Sequence, residues 1–393
     1  MSRTKVVRDT DNDALVAKCA AANALYFTDP LLSLFLPPAL ADPPPRKLPL
    51  FNRGTYLRLS ALSRLVDCFV RSGGRQIVSL GAGSDTRPFH ILAADSTPSD
   101  FVYHELDFPA SARNKAALVR AHSQLNSVLH QDSLVYNISP DPPKRQPGSL
   151  LPRPRPSTAS SSADDRTPLR SKSYYIHGLD LRDLTSPSAI LALPGLNPSL
   201  PTLIISECCL CYLEPSAADA ILAAFLTTFS SSSSPSPTPL GIVSYEPFSR
   251  SDPFGKVMIH NLASRGISLP AMIAFPTLHA QLARLRSLGF RAARCADVKF
   301  IHDKWTSEEE MTRLDKLEVL DEREEFDLLV MHYGVYWASN LSSSSPSTPS
   351  SSPSTPPPST PPPPPSDPST STSTSTSTFT GAFQGWNTFP HQS

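Results

Sequence analysis

The sequence predicts an α/β fold with a mostly parallel sheet. Apolar runs of strand length recur along the chain and alternate with longer amphipathic segments, as in strands joined by helical crossovers. One of these runs breaks into a glycine turn, QIVSLGAGSDTR, at residues 76–87. In open α/β sheets such turns lie at the carboxyl ends of the strands, where ligands bind.

Each predicted element rests on its own local pattern. Strands are predicted from short apolar runs at 76–80, 101–105, 174–178, 203–207, 241–245, 292–296 and 326–337. Helices are predicted from amphipathic patterns at 11–27, 56–71, 215–229, 253–265, 277–288 and 307–323. Pro215 suits a first helical turn, and Gly289 suits a helix C-cap. The strand at 326–337 directly follows an acidic helix, so we expect it to pair antiparallel at or near the sheet edge.

Low-complexity segments divide the chain. Its 43 prolines are about twice the usual share, and they concentrate at 139–173, 230–239 and 339–393 together with serine and threonine. Such segments bury too little apolar surface to offset the entropy of ordering them. We therefore predict one folded domain at 1–338, with an insertion at 139–173 and a short loop at 230–239. The remainder, 339–393, is predicted to be a disordered tail.

Charge and cysteine content narrow the class of protein. The formal net charge is +0 and only 18% of residues are charged, which argues against binding to nucleic acid or to a membrane surface. The charged N-terminus and the lack of a long apolar stretch predict a cytoplasmic protein, which we expect to be a monomer. The segment containing Cys208, Cys209 and Cys211 lacks the spacing of a zinc site, so these thiols are predicted to be buried.

The glycine turn favours one type of cofactor. Gly81 and Gly83 let the backbone turn sharply and approach a ligand that a side chain would block. A dinucleotide-binding turn would have a third glycine at position 86, but this chain has Thr86. An NAD-dependent oxidoreductase is therefore the least supported interpretation. The turn instead resembles the first loop of S-adenosylmethionine-dependent methyltransferases.

Asp107 is the first candidate ligand after the glycine turn. It lies 24 positions after Gly83, close to the spacing at which an acidic residue accepts hydrogen bonds from ribose hydroxyls. Glu105, two positions earlier on the same strand, is its rival. The sequence alone leaves both open.

Two further acids follow predicted strands. Asp180 could accept a hydrogen bond from an adenine amino group, whereas Asp183 could be a helix N-cap, and neither interpretation prevails. Glu207 ends an apolar run predicted to be buried on both faces. A carboxylate in that place must be solvated, paired or facing a ligand. Lys18 and Arg58 lie in amphipathic segments, where a cation is by default solvated.

Taken together, these motifs resemble the leucine carboxyl methyltransferase family, which methylates the C-terminal carboxylate of the type 2A protein phosphatase catalytic subunit. The resemblance covers nearly the whole predicted domain. It is carried, in order, by VRDTDNDALVAKCAAANALYFTDP, NRGTYLR, QIVSLGAGSDTR, ELDFP, LDLRDL, PTLIISECCLCYLEP, SYEPF, DPFGKVMIHNL, LGF and EFDLLVMHYGVYWA.

The resemblance implies a Rossmann-like class I methyltransferase sheet with helical N-terminal and cap elements. It also implies a role for each site residue. Lys18 and Arg58 would hold the carboxylate of the cofactor or of the substrate, Gly81 would underlie the methionine portion of the cofactor, and Asp107 would bind its ribose. Asp180 and Leu181 would contact the adenine, Glu207 would face the amino group of the cofactor, and Tyr212 would line the acceptor side. Arg58 and Tyr212 are thus the candidate catalytic residues.

The function implied is S-adenosylmethionine-dependent methylation of the C-terminal leucine of the protein phosphatase 2A catalytic subunit, which would regulate assembly of the phosphatase holoenzyme. Three alternatives stay open at this point. The acceptor could be a small molecule or a modified tRNA base, although no β-propeller repeats of the kind found in tRNA-modifying relatives occur here. The chain could also be a non-catalytic phosphatase-binding protein.

Overall fold

A computed structural model describes residues 3–137, 166–230, 237–341 and 381–392. Its centre is a nine-stranded sheet in the order β3-β4-β5-β2-β1-β6-β7-β9-β8. The strands are β1 (Gln76–Leu80), β2 (Val102–Asp107), β3 (Val135–Tyr136), β4 (Leu169–Arg170), β5 (Tyr174–Gly178), β6 (Thr202–Glu207), β7 (Leu240–Pro247), β8 (Ala292–Asp297) and β9 (Tyr333–Ser339).

Helices cover both faces of the sheet. The longer ones are α1 (Arg3–Asn23), α4 (Pro49–Arg71), α6 (Pro109–Ala121), α9 (Pro215–Ser230), α10 (Pro253–Ser264), α12 (Leu278–Leu288) and α14 (Glu308–Leu317). The shorter ones are α2 (Leu32–Phe35), α3 (Pro38–Ala41), α5 (Arg87–Ala93), α7 (Ser123–Asn126), α8 (Pro187–Leu191), α11 (Pro270–Ala274), α13 (Val298–Trp305) and α15 (Arg323–Val330). The described residues also include 3₁₀ turns at Gln131–Ser133, Leu181–Asp183, Leu210–Tyr212 and Gln384–Thr388.

The parallel core brings the strand ends together. β5, β2, β1, β6 and β7 run parallel, with Leu80 opposite Leu106 and Ser206, and Asp107 opposite Gly178. Alternate side chains face two cores: Ile77 and Leu203 lie in one, and Val78 and Ile204 lie in the other. The predicted α/β class with a mostly parallel sheet is confirmed. The strands predicted at 76–80 and 174–178 have the predicted bounds.

The antiparallel part of the sheet corrects one predicted element. β9 lies antiparallel between β7 and the edge strand β8, so the expected pairing near the edge is confirmed. The prediction of one strand over 326–337 is wrong, because Arg323–Val330 forms helix α15 and β9 begins only at Tyr333. Phe326 and Val330 are buried four positions apart on one side of that helix, while Leu328 is exposed. The apolar run is therefore the buried side of a helix followed by a strand.

The structure also corrects the bounds of the predicted insertion and of the predicted short loop. The end of the predicted insertion contains a strand, because Leu169 and Arg170 of β4 pair with β5 and β3. Ser230 ends α9, and the backbone oxygen of Thr238 accepts a hydrogen bond from the Asn340 amide at 2.9 Å. The rest of these predicted segments, 138–165 and 231–236, lies outside the described residues.

The prediction that 339–393 is a disordered tail is wrong for two of its parts. Ser339 ends β9 and is buried together with Asn340. Residues 381–392, here called the C-terminal segment, pack between α4 and α13 on one face of the sheet. Within it Phe383 stacks on Phe69 with ring centroids 5.2 Å apart, and Phe389 packs on Trp305. Residues 342–380 lie outside the described residues.

Hydrogen bonds fasten the C-terminal segment along its length. The indole Nε1 of Trp386 donates to the backbone oxygen of Leu65 at 3.0 Å. The backbone N–H of Gln392 donates to the backbone oxygen of Cys295 at 2.8 Å, which adds an antiparallel bridge to the edge strand β8. The aromatic side chains of this segment thus supply part of the core that α4 and β9 would otherwise expose.

Across the described ranges, we find no helix with both the length and the apolar composition needed to cross a membrane.

Replacing Trp386, which is 2% exposed, should destabilise the protein strongly. We expect Trp386→Ala to lower the free energy of unfolding by about 3 to 5 kcal/mol, because it empties a core position and removes the bond to Leu65. Chemical denaturation monitored by circular dichroism measures this. The control is Asn387→Ala, an exposed neighbour in the same turn. Equal stability of the two variants would show that the C-terminal segment does not belong to the core.

Candidate active site

A cavity of about 770 Å³ opens at the carboxyl ends of the parallel strands. Its size falls within the range of small-molecule sites. The glycine turn after β1, the ends of β2 and β6, one face of α1 and the start of α4 all contribute to its wall. Of the residues predicted from the sequence, the wall includes Arg58, Gly81, Asp107, Asp180, Leu181, Glu207 and Tyr212. The structure therefore brings together seven of the eight predicted site residues.

The glycine turn needs its two glycines. Gly81 and Gly83 adopt φ angles of +63° and +46°, in the left-handed region that favours glycine. A Cβ on Gly81 would lie 2.6 Å from Cys209 Sγ, so a side chain has no room there. Asp107 holds the turn in place, because its Oδ2 accepts a hydrogen bond from the Gly83 N–H at 2.8 Å.

The structure distinguishes Asp107 from its rival Glu105. Asp107 lines the cavity, and burial raises its pKa. Glu105 is instead buried in the core, where Lys115 Nζ and the Tyr174 hydroxyl donate to it at 2.8 and 2.7 Å. Burial raises the pKa of Glu105 to about 7, although Lys115 opposes that shift. Glu105 is therefore a core residue, and Asp107 is the acid available to a ligand.

A buried ionic network lies beneath the cavity. Glu207, at the end of β6, has one oxygen 3.0 Å from Arg58 Nε and the other 3.2 Å from Arg87 Nη2. Arg87 also contacts Asp85 at 2.7 Å, and Lys18 Nζ lies 3.8 Å from the same carboxylate. Burial opposes ionisation of Glu207, but the cations around it, Arg58 first, lower its pKa overall. In the same way, Arg87 and Lys18 outweigh burial and lower the pKa of Asp85 to about 2.

Arg58 retains an unused donor. Its guanidinium lies 5.5 Å from the ring centroid of Tyr245, and its Nη2 atom is buried without a hydrogen-bond partner among the residues that the structure describes. A buried donor is costly unless something accepts its hydrogen bond. Because Arg58 lines the cavity, a ligand oxygen is the natural acceptor. This is the feature of the wall that most directly indicates an anionic ligand.

Lys18 and Asp180 each bind another charged side chain of the protein. Lys18 is buried and pairs with Asp85, outside the residues that line the cavity. Asp180 caps the turn Leu181–Asp183, because its Oδ1 accepts from the backbone N–H of Arg182 at 3.0 Å. The hypothesis that Asp183 is the N-cap is therefore wrong. The side chain of Arg182 also binds Asp180, so a ligand there would share this carboxylate with an arginine.

The loop after β6 forms the wall opposite α4. Cys208 has a φ of +49°, a strained value for a residue with a side chain, and it lines the cavity with Cys209 and Tyr212. Glu246 holds this loop, because its carboxylate accepts from the Cys211 N–H at 3.2 Å and from the Ser206 hydroxyl at 3.0 Å. Cys211 is buried as predicted, whereas Cys208 and Cys209 are only partly buried.

Sequence reasoning missed four residues that shape the site: Asp11, Asp85, Arg87 and Glu246. Glu246 could have been identified from the sequence, because it directly follows the apolar run GIVSY. Glu207 follows an apolar run in the same way. The other three carry no such signal, because their roles depend on partners that only the fold brings near.

The sheet and the cavity define a class I methyltransferase. The last strand inserts antiparallel between β7 and β8, which departs from dinucleotide-binding sheets, and the ligand-sized cavity lies at the strand ends. Comparison with known proteins specifies the class further. The family model described as leucine carboxyl methyltransferase matches residues 6–226.

Curated relatives match over nearly their whole length. A leucine carboxyl methyltransferase 1 of Yarrowia lipolytica is 40% identical, over 87% of this chain and 99% of that protein. The protein of the same name from Aspergillus fumigatus is 37% identical, over 88% of this chain and 86% of its own. That of Cryptococcus neoformans is 38% identical, over 85% and 92%. The chain belongs to the leucine carboxyl methyltransferase family, whose members are S-adenosylmethionine-dependent methyltransferases.

The buried carboxyl of Glu246 should make stability depend on pH. Burial raises its pKa from an ordinary 4.5 to about 7. Between these values the folded protein keeps a proton that the unfolded chain has lost, so stability falls as the pH rises and the loss is complete above about 7. We expect Glu246→Gln to lack this contribution. The free energy of unfolding of the variant, relative to the wild type, should rise from pH 5 to pH 7.5.

Urea denaturation at several pH values measures this difference. Glu309→Gln, a change at an exposed glutamate, is the control and should leave the pH profile of the wild type unaltered. A difference between Glu246→Gln and wild type that is constant over the pH range would contradict the buried, protonated carboxyl.

Proposed function

We propose that this protein transfers a methyl group from S-adenosylmethionine to the α-carboxylate of the C-terminal leucine of the protein phosphatase 2A catalytic subunit, and that this modification regulates holoenzyme assembly. The observation that carries the proposal is the unpartnered donor of Arg58 in a cavity wall rich in buried charge. The family name supports the leucine carboxylate as acceptor. A cytoplasmic, monomeric enzyme stays a prediction of the sequence.

The residues of the cavity fit the cofactor. Asp107 would accept hydrogen bonds from the ribose, and Asp180 with Leu181 would bound the adenine. Gly81, which lines the cavity, would underlie the methionine portion. Glu207 would face its amino group. When bound, S-adenosylmethionine supplies an electrophilic methyl group on a sulfonium.

The charge of the network suits a carboxylate ligand. Three cations, Arg58, Arg87 and Lys18, are linked through contacts to only two carboxylates, Asp85 and Glu207. The low pKa values of both acids keep them ionised near neutral pH. One positive charge is therefore uncompensated within this network. The carboxylate of the cofactor or that of the acceptor would balance it, and within this network Arg58 is the cation that lines the cavity.

The enzyme needs to position its acceptor rather than deprotonate it. A C-terminal carboxylate has a pKa of roughly 3.3 to 3.7, so it is ionised near neutral pH and needs no general base. Arg58 would orient the carboxylate through charge-assisted hydrogen bonds worth about 1.5 to 3 kcal/mol. Tyr212 and the loop after β6 would exclude water from the other side. Holding the reacting atoms in line can contribute roughly 7 to 11 kcal/mol.

The acceptor can be tested directly. We expect the protein to transfer label from methyl-labelled S-adenosylmethionine to intact phosphatase catalytic subunit, and to leave unlabelled a catalytic subunit that lacks only its last residue. The label should be released by mild base, as a methyl ester is. Equal labelling of the two acceptors would exclude the terminal carboxylate as the site of methylation.

Arg58 offers a test of the site. We expect Arg58→Ala to lower kcat/KM by about ten- to a hundredfold, the range that corresponds to losing one charge-assisted hydrogen bond. Arg58→Lys should recover only part of the loss, because an ammonium cannot reproduce the guanidinium fork. The control is Arg71→Ala, an exposed arginine at the end of the same helix. Wild-type kcat/KM in a folded Arg58→Ala variant would remove Arg58 from the active site.

A further inference from the structure

We propose that Asp11 is a positioning residue that fastens helix α1 to the glycine turn and thereby closes the cofactor cavity. This inference rests on the proposed function, because the ligand enclosed is the cofactor of that reaction. The inference assigns a role to α1, a helix that does not connect two strands of the sheet.

One face of α1 forms part of the cavity wall. Val7, Thr10, Asp11, Ala14 and Ala17 line the cavity and recur at helical spacing. The second half of the helix is anchored by apolar packing, since Leu15 and Cys19 belong to the same core as α4. The first half packs Val6 against a separate apolar cluster and meets the glycine turn through Asp11. Its position therefore decides whether the cavity is covered.

Asp11 makes the polar contacts that hold this first half against the glycine turn. Its Oδ1 accepts two hydrogen bonds from Ser84, one from the backbone N–H and one from the hydroxyl, both at 2.9 Å. The neighbouring residue, Gly83, leaves the space for this carboxylate, because an added Cβ would overlap the Asp11 side chain. Asp107 binds the Gly83 N–H from the other side. Two successive amides of the turn are thus bound by carboxylates, one from the sheet and one from α1.

The other polar contacts of this half of α1 are weaker. Thr10 meets the Tyr212 hydroxyl at a long 3.4 Å. Asp13 pairs with Arg265, but the two side chains are 64% and 59% exposed, and exposed ion pairs add little stability. Asp11 is half-buried, and its two hydrogen bonds involve a charged acceptor, which strengthens them. Asp11 is therefore the main polar anchor of the helix at the glycine turn.

The affinity of the protein for its cofactor depends on the fraction of molecules in which α1 is held against the glycine turn. If α1 is held in this position in only a fraction of the molecules, the apparent dissociation constant for the cofactor rises in inverse proportion to that fraction. Loss of the anchor should therefore weaken cofactor binding and raise the KM for the cofactor. The rate at saturation should change little, since Asp11 does not act on the reacting atoms.

Calorimetry with S-adenosylhomocysteine tests this on the full chain. We expect Asp11→Ala to weaken binding about tenfold and to raise the KM for S-adenosylmethionine with kcat nearly unchanged. Asp11→Asn should bind almost as the wild type does, because its amide oxygen can accept both hydrogen bonds from Ser84. Asp9→Ala is the matched control, since it removes the same charge from the same helix two residues away at an exposed position outside the cavity wall, and it should bind as the wild type does.

Amide hydrogen exchange of residues 5–17 measures how firmly α1 is held, and it does so in the absence of any ligand. In unliganded protein we expect faster exchange in Asp11→Ala than in Asp9→Ala or wild type. Unchanged or tighter binding by Asp11→Ala would overturn the inference, as would equal losses in the Asp11 and Asp9 variants. If the wild type bound no S-adenosylhomocysteine, the proposed function would fail, whereas the exchange data would still show whether Asp11 fastens α1.

Discussion

The carboxylate of Glu207, held between Arg58 and Arg87, is the interaction on which the site depends. Each of the three residues comes from a different element: the end of β6, the body of α4 and the start of α5. Buried charges are costly to desolvate, so each must keep its partners in place. Satisfying this requirement fixes α4 and the glycine turn relative to the sheet, and these surfaces are walls of the cavity.

The parts that could be predicted from the sequence are those with local causes. Strands buried on both faces are continuous apolar runs, and acids at their ends lie at one edge because parallel strands end together. The ionic network could not be predicted in the same way, since Arg87 and Glu207 lie 120 positions apart. Helix α15 was mistaken for a strand because its apolar residues are consecutive, and only packing shows that Leu328 faces water.

The glycine turn shows how a correct pattern can have more than one physical reason. The sequence interpretation was that small residues admit a ligand. In the structure, Gly81 lies against Cys209 and Gly83 lies against Asp11, so both glycines also permit close approach of the chain to itself. These approaches join the loop after β6 and helix α1 to the turn. The same two positions therefore shape the cavity and bring together the segments that line it.

The C-terminal segment connects the beginning of the parallel strands with one edge of the site. Phe383 packs beside Gly241 at the beginning of β7, whereas Gln392 binds Asp297 at the opposite end of the strands, with the Asp297 N–H 2.7 Å from its side-chain oxygen. Asp297 in turn caps α13, whose first residue, Val298, lines the cavity. Core packing and one edge of the site are thus supported by the same twelve residues. Because these residues supply core side chains, the folded domain does not end at residue 338.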